Sequence, residues 1–379
     1  MSYSQDMKPL RFAVIGLGGM GAKHAQNLSH HHAYGIILVS ACDNDPAVVE
    51  KQKFELPRIP LYLDYHEMIA KEEIDAVLIA TPHYSHVQIA MDCLEKGLNV
   101  LVEKPLAVTA MEAEKLVALA KKYPHQLCGV AFNQRSNPVY SKAKEYLPAL
   151  KTIRSARFDI SNWYRSDSYY RLNSWRGSYA LEGGGCLINQ CHHQLDLIVY
   201  LLGLPDAVEA HCATVDRNID VENDVVALFY YPTFILTFTA SCHDLKGVND
   251  FEISGDGGRL KMDKMMLDVY LHQDELKVNK TIKAYEGVPI EEHHLSYPPR
   301  QQQEDRLYGQ QVESLRYFAS ALHKRDKQLA TLEDGLKDVQ LLNAIYLSSW
   351  TKSKVKVPVD EKVYAEALAA KITEEKAKN

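Results

Sequence analysis

The chain has 379 residues, 46% of them hydrophobic and 24% charged, with a formal net charge of −6. That length suggests two domains or one large α/β unit, and the acidic balance, with no Lys/Arg cluster against it, argues for a small-molecule partner over nucleic acid. The seven cysteines are scattered and form no C-x-x-C pair, which reads as free thiols in a reducing, cytoplasmic compartment, and no run reaches the roughly 18 apolar residues of a membrane span.

The N-terminus, Met-Ser-Tyr-Ser-Gln-Asp, lacks the basic and apolar regions of a secretory signal. Arg11-Phe-Ala-Val-Ile then reads as a buried strand, running straight into Gly16-Leu-Gly18-Gly19-Met20-Gly21 and a helical pattern. In G-x-G-x-x-G the first glycine makes the tight turn, the second lets backbone approach a pyrophosphate, and the third lets helix and strand pack closely. Free N–H groups at the helix start would face the phosphates. A second strand, Ile36 to Cys42, ends at Asp43, 22 residues past Gly21, where a carboxylate suits a ribose 2′-hydroxyl. Its charge would repel a 2′-phosphate, so NAD is expected over NADP.

Asp45-Pro46 caps the next helix. Ile74–Ala80 is predicted as a third strand ended by Thr81-Pro82, and His86–Lys96 as a helix stopped at Gly97. Leu98–Val102 is a fourth strand ended by Glu103-Lys104-Pro105. Thr109-Ala-Met-Glu112 is a capping box opening a helix, and Gln126–Phe132 a fifth strand. The expectation is a doubly wound parallel Rossmann sheet over residues 1–133, with ligands at the strands' carboxyl ends.

Past residue 133 the texture changes. A connecting helix is predicted at Ser141–Leu147, a strand at Arg154–Ile160 and a helix from Gly185 to Leu202. Strands follow at Ala207–Val215, Asp224–Tyr231, Phe234–Cys242, Asp250–Ser254, Arg259–Met262 and Met266–His272, and closing helices at Leu307–Lys324 and Asp334–Trp350. Hairpins with one apolar face predict a C-terminal α+β domain over 134–379 carrying an open, mainly antiparallel sheet. Its other face would be a natural surface for a homo-oligomer, dimer or tetramer. Gly255-Asp-Gly-Gly258 reads as a hairpin turn. The tail after Ala365 reads as a solvated helix or fray, and His293-His294 as facing solvent.

Three segments carry candidate chemistry. Thr81-Pro82-His83-Tyr84-Ser85-His86 is either an ordinary helix start or a wall for the cofactor's ribose. Lys104 must emerge at the ligand edge of the sheet beside Glu103. There a partly desolvated lysine can polarise a carbinol oxygen or shuttle its proton, although a solvated lysine is the plain alternative. In the second domain, Gly183-Gly-Gly185 precede a helix whose stripe Leu187, Cys191, Leu195, Ile198 and Leu202 is apolar. Asn189 and His193, four apart, share another face, with Asp196 a turn further to fix the imidazole as a base. A satisfied histidine on a half-buried helix is the alternative. Trp163-Tyr164-Arg165, Tyr169-Tyr170-Arg171 and Trp175-Arg176 pair aromatic faces with guanidiniums, suiting either a polyhydroxylated ring or a packed loop. His30-His31-His32 lacks partner ligands at metal spacing, so no metal is expected.

Together these motifs resemble the Gfo/Idh/MocA family, from the glycine fingerprint through Thr81-Pro82 and Glu103-Lys104-Pro105 to Gly183-Gly-Gly185, Asp196 and Val355-Lys-Val-Pro-Val-Asp360. The resemblance implies that Lys104 sits beside the nicotinamide and the reacting hydroxyl and that His193 is the catalytic histidine. It makes Asn133 and Arg135, in Gly129–Arg135, candidate substrate binders. Asn189 stands where many members carry an aspartate partner, so a carboxylate is missing from the expected proton path. The expected activity is NAD-dependent oxidation of a secondary hydroxyl of a sugar, sugar derivative or cyclitol, or reduction of the matching ketone. A glycoside-cleaving enzyme using transient sugar oxidation and a non-catalytic NAD/sugar sensor are the alternatives.

Overall fold

The computed structural model describes residues 8–30, 35–172, 174–263, 265–297, 309–324 and 330–378. By Cα proximity the described residues divide into a first unit drawn from 1–136 and 300–339 and a second drawn from 137–299 and 340–379.

The first unit holds six parallel strands: β1 (Leu10–Ile15), β2 (Ile36–Cys42), β3 (Leu61–Tyr62), β4 (Ala76–Ile79), β5 (Asn99–Val102) and β6 (Cys128–Val130). Their order is β3-β2-β1-β4-β5-β6, the doubly wound arrangement with its switch point between β1 and β4. The pleat sends alternate residues to opposite faces. Ala13 and Ile15 of β1 join one apolar layer with Val77, Ile79, Val100 and Val102, while Phe12 and Val14 join another with Ala76, Leu78 and Leu101. Both faces are therefore dry, which is why these strands read as continuous apolar runs. Helices cover the faces, and local chemistry sets their ends. Asp45 accepts from the Ala47 amide ahead of Pro46–Glu55, and Thr109 accepts from the Glu112 amide ahead of Ala110–Ala120, as the capping box predicts.

Two features escaped the sequence pattern. The two-residue strand β3 pairs with Ala41 and Cys42 and is too short to show a period. The expected single cut between 133 and 134 also misses a return of the chain. Leu315, Phe318 and Ala319 from the helix Gly309–Lys324 pack into the layer of Phe12, with the Phe318 ring edge-on to Phe12 at 6.1 Å.

The second unit holds β7 (Ile153–Ile160), β8 (Ala207–Ala213), β9 (Asp224–Tyr230), β10 (Ile235–Ser241), β11 (Asn249–Gly255), β12 (Gly258–Asp263), β13 (Met266–Leu271), β14 (Glu291–Ser296) and β15 (Val355–Lys356). They form one sheet in the order β14-β13-β12-β11-β7-β10-β9-β8-β15. Every pairing is antiparallel except β7 with β10. One face is apolar, with Phe158 stacked on Phe251 at 4.4 Å and Phe229 on Phe238 at 5.6 Å. On the other face Val226, Ile235 and Met266 are exposed. The predicted turn at Gly255–Gly258 joins β11 to β12. The polar His293-His294 stretch is edge strand β14, where His294 Nδ1 meets Asp268 at 2.8 Å. The tail is an ordered helix, Glu361–Lys378, that buries Tyr364, Leu368 and Glu375. Its Glu375 accepts from the Ser178 hydroxyl and, at 2.7 Å, from the Tyr179 amide.

The predicted helix from Gly185 to Leu202 is two helices, Cys186–Asn189 and His192–Leu202. The amides of Gln190 and Cys191 both donate to the Cys186 carbonyl, at 2.9 and 2.8 Å, a widened turn of the π type that resets the helical phase. Asn189 and His193 therefore do not share one continuous helical face. The 3.6-residue pattern survives because Leu187, Cys191, Leu195 and Ile198 are all buried on either side of the break.

Candidate functional site

In the first unit the loop after β1 is shaped by steric demands. Gly16 has φ +92°, and a Cβ there would lie 2.7 Å from the Ala80 backbone at the end of β4. A Cβ on Gly21 would lie 1.8 Å from the Gly16 carbonyl oxygen, so the helix Gly19–His30 packs on the strand end only as glycine. At Gly18 and Gly19 a Cβ would meet nothing within 4 Å, and these two residues with Met20 form an exposed rim. That open backbone at a helix N-terminus fits a pyrophosphate. Asp43 is fixed beside it: one carboxylate oxygen accepts from the Leu17 amide at 2.7 Å and the other from the Asp45 amide at 2.9 Å. Thr81 and Pro82 follow β4 across the switch point, and Ser85 donates to the Thr81 hydroxyl at 2.7 Å. His86 lies inside this wall. Its Nδ1 meets the Pro105 carbonyl at 2.7 Å and its Nε2 the Thr81 carbonyl at 2.8 Å, so it clamps the loops after β4 and β5 together. Burial pushes the imidazole below its usual range, against the pull of those two carbonyls.

Lys104 leaves β5 half-buried, followed by a cis peptide to Pro105. Glu103 is held by His24 from the glycine-loop helix, with His24 Nε2 at 2.7 Å from Oε1, while Oε2 accepts from the Lys104 amide at 3.2 Å. The strand end that presents Lys104 is thus tied to the helix that would carry the pyrophosphate. Asp338, fully buried on the helix Leu332–Thr351, lies in the field of Lys104 and Arg135. Burial holds its carboxyl well above the usual range although both cations pull the other way. Arg135 donates to Asp334 at 2.9 Å with its side chain 4% exposed. Burial alone would raise Asp334, but Arg135 and the Thr331 amide outweigh it and lower it. Asn133 is buried beside it in the same short turn.

In the second unit the glycines feed a carboxylate hub. Glu182, 2% exposed, accepts from the Gly177 amide at 2.7 Å and from the Asn189 side-chain amide, and sits 3.6 Å from Arg176. Gln190, at the helix break, donates to the Tyr169 hydroxyl at 2.9 Å, which also accepts from Arg176. His193 is half-buried and Asp196 fully buried. A second carboxylate, Glu222, takes the Gly185 and Leu187 amides at 3.1 and 3.0 Å and the Tyr346 hydroxyl at 2.9 Å. Despite those donors, burial pushes it up to about 7. Trp163 and Tyr164 are exposed, and Trp175 lies against Arg176.

Residues 10–132 match the family profile described as "Oxidoreductase family, NAD-binding Rossmann fold", and residues 149–261 match the "GFO/IDH/MocA C-terminal domain". The chain belongs to the Gfo/Idh/MocA oxidoreductase family. It is 33% identical over 144 residues to inositol 2-dehydrogenase of Rubrobacter xylanophilus, covering 37% of this chain and 40% of that one. Across three curated relatives the matched stretch spans 40% to 58% of their length. Among solved structures, levoglucosan dehydrogenase with NADH and L-sorbose superposes with a TM-score of 0.77 at 23% identity, over 93% of this chain and all of that one. The WlbA dehydrogenase of Bordetella pertussis with NADH and UDP-GlcNAcA gives 0.73 at 22%, again over 93% and all of the chain. At such identities these likenesses speak for the fold.

Within this Gfo/Idh/MocA chain, residues 10–132 form the NAD-binding Rossmann domain, and the loop after β1 packs as closely as its glycines allow. Glu182, Glu222, Asp338 and His24 were not foreseen. Glu182 alone had a signal, standing directly before the three glycines. The other three are brought to their sites by tertiary contacts, such as that of His24 with a residue 79 positions away. Of the described helices, none is long and apolar enough to cross a membrane. In the His30–His32 run, residues 31 and 32 lie outside the described residues.

Proposed function

We propose that the chain is an NAD-dependent dehydrogenase acting on a secondary hydroxyl, or the matching ketone, of a sugar, sugar derivative or cyclitol. The observation that carries this is Lys104 at the carboxyl end of β5, half-buried in an NAD-binding domain, on a strand end tied through Glu103 to the glycine-loop helix. When bound, the nicotinamide would supply the hydride acceptor or donor. Gly18 and Gly19 would give backbone N–H groups to the pyrophosphate, and Asp43 would accept from a ribose hydroxyl while disfavouring a 2′-phosphate. Thr81 and Pro82 would line the cofactor wall, which His86 braces from behind. Lys104 would donate to the reacting oxygen, and His193 would take or return its proton. Glu103 would position Lys104 through the strand end it shares with His24. Asn133, Arg135, Trp163, Tyr164, Trp175 and Arg176 remain candidate substrate contacts.

The test is a panel of cyclitols, monosaccharides and glycosides scored for NADH formation, with NAD and NADP in parallel. Activity with NAD that falls at least a hundredfold in Lys104→Ala supports the reading. Tight NAD binding with no turnover of any of them would sink it. We also propose that the exposed sheet face, with Val226, Ile235 and Met266, mediates homo-oligomerisation, which light scattering reads directly.

A further inference from the structure

Five side chains of the second unit stand in an alternating row of rings and cations: Trp163, Arg165, Tyr169, Arg176 and Trp175. The Arg165 guanidinium carbon lies 5.6 Å from the Trp163 ring centre and 4.4 Å from that of Tyr169. That of Arg176 lies 4.5 Å from both Tyr169 and Trp175. Each ring of the row thus already has a guanidinium over it. What the row offers a ligand is fixed N–H donors and charge.

The charge is incompletely neutralised. Arg176 has Glu182 at 3.6 Å, but that carboxylate also serves the Gly177 amide and Asn189. Arg165 has no carboxylate partner among the described residues. Its one side-chain hydrogen bond to the backbone reaches the Tyr164 carbonyl at 3.2 Å, and its Nε is buried without an acceptor, as is the Nε of Arg176. The Arg165 terminal nitrogens, by contrast, lie at the surface, and an oxyanion is the acceptor that satisfies a guanidinium's N–H groups best, through two parallel bonds. The fork is also held in advance. The Arg165 amide donates to the Cys242 carbonyl at 2.8 Å, and Arg217 Nε donates to the Arg165 carbonyl at 3.0 Å. Two rings fix the guanidinium plane itself, so little rotamer entropy is lost on binding.

We infer that the row binds an oxyanion substituent of the substrate, a phosphate or carboxylate attached to the sugar, with Arg165 as its principal ligand. This rests on the dehydrogenase reading above and narrows it to charged sugars.

Binding can be read apart from turnover, because two of the chain's three tryptophans, Trp163 and Trp175, lie in the row. With NAD present, glucose, glucuronate and glucose 6-phosphate are titrated while protein fluorescence is followed, with calorimetry in parallel. The expected result is that at least one anionic sugar binds tenfold or more tighter than glucose, as one charge-assisted contact supplies. The advantage should shrink as salt rises. Comparison of the two anions separates carboxylate from phosphate. Arg165→Met should bring the anionic sugar and glucose to within about twofold of each other, and Arg165→Lys should fall between, since lysine keeps charge and loses the fork. Equal affinity for all three sugars in the unaltered protein overturns the inference, as does a preference that survives in Arg165→Met. Salt-sensitive binding of the anionic sugars with no NADH formed would sustain the inference and sink the dehydrogenase reading. NADH formed from neutral sugars without any anion preference would do the reverse.

Discussion

Two carboxylates in the second unit carry the most direct tests at the level of single residues. Glu222 is raised from 4.5 to about 7, first by burial, so the native state holds its proton more tightly than the unfolded chain does. A raised pKa means that stability is full below about pH 4.5 and is lost as pH climbs through 7. The melting temperature should therefore decline over that window. Glu222→Gln keeps one acceptor oxygen, cannot ionise, and should flatten the decline, worth roughly 3 kcal/mol between its ends. Parallel melting curves of both proteins from pH 4 to 8.5 would contradict this. Asn189 offers the complementary case. Its amide already donates to Glu182, so the carboxylate that seemed to be missing from this segment stands one side chain away. Asn189→Asp would face two carboxylates across a hydrogen bond, and one of them would have to keep a proton. The variant should match the unaltered protein near pH 4 and lose roughly 1–3 kcal/mol by pH 8. A pH-independent difference in melting would show that Glu182 is not the partner in solution.

At the level of elements, what the sequence announces depends on whether one element or two must be seen. The strands of the first sheet were legible because both faces are buried, leaving unbroken apolar runs such as Phe12–Ile15 and Val100–Val102. Thr109 with Glu112 and Asp45 with Pro46 are readable because a cap bonds to its own helix. The second sheet was readable from alternation, sharpest in β12, where buried and exposed residues alternate without exception. The break at Gln190 was not, because burial continues through it and leaves the apolar period unbroken. Strand β3 was too short, and β14 too polar, to carry a pattern. The glycine fingerprint and Asp43 could be read because the loop, its strand and its acid follow one another locally. By contrast, the surroundings of Lys104 depend on Asp338, far along the chain, which no spacing rule connects to it.

For the whole molecule, the arrangement of Gly16, Gly18, Gly21 and Asp43 makes cofactor binding a stability statement. A ligand that binds only the folded state adds roughly 2.7 kcal/mol when present at a hundred times its dissociation constant. NAD should raise the melting temperature of the unit that contains these residues, and NADP at the same concentration should raise it less, because its extra phosphate meets Asp43. Asp43→Ala should narrow the gap between the two. Equal shifts for both dinucleotides in the unaltered protein would remove Asp43 as the discriminator.

The return of Gly309–Lys324 to the layer of Phe12 also has a meaning in time. A ribosome delivers β1 to β6 long before it delivers Leu315 and Phe318. Until those arrive, Phe12 and the residues beside it lack part of their cover, so the nucleotide-binding half cannot finish folding as a nascent chain. It must wait for the second unit's strands to be made, and in that interval part of an apolar layer that the finished protein hides lacks its cover.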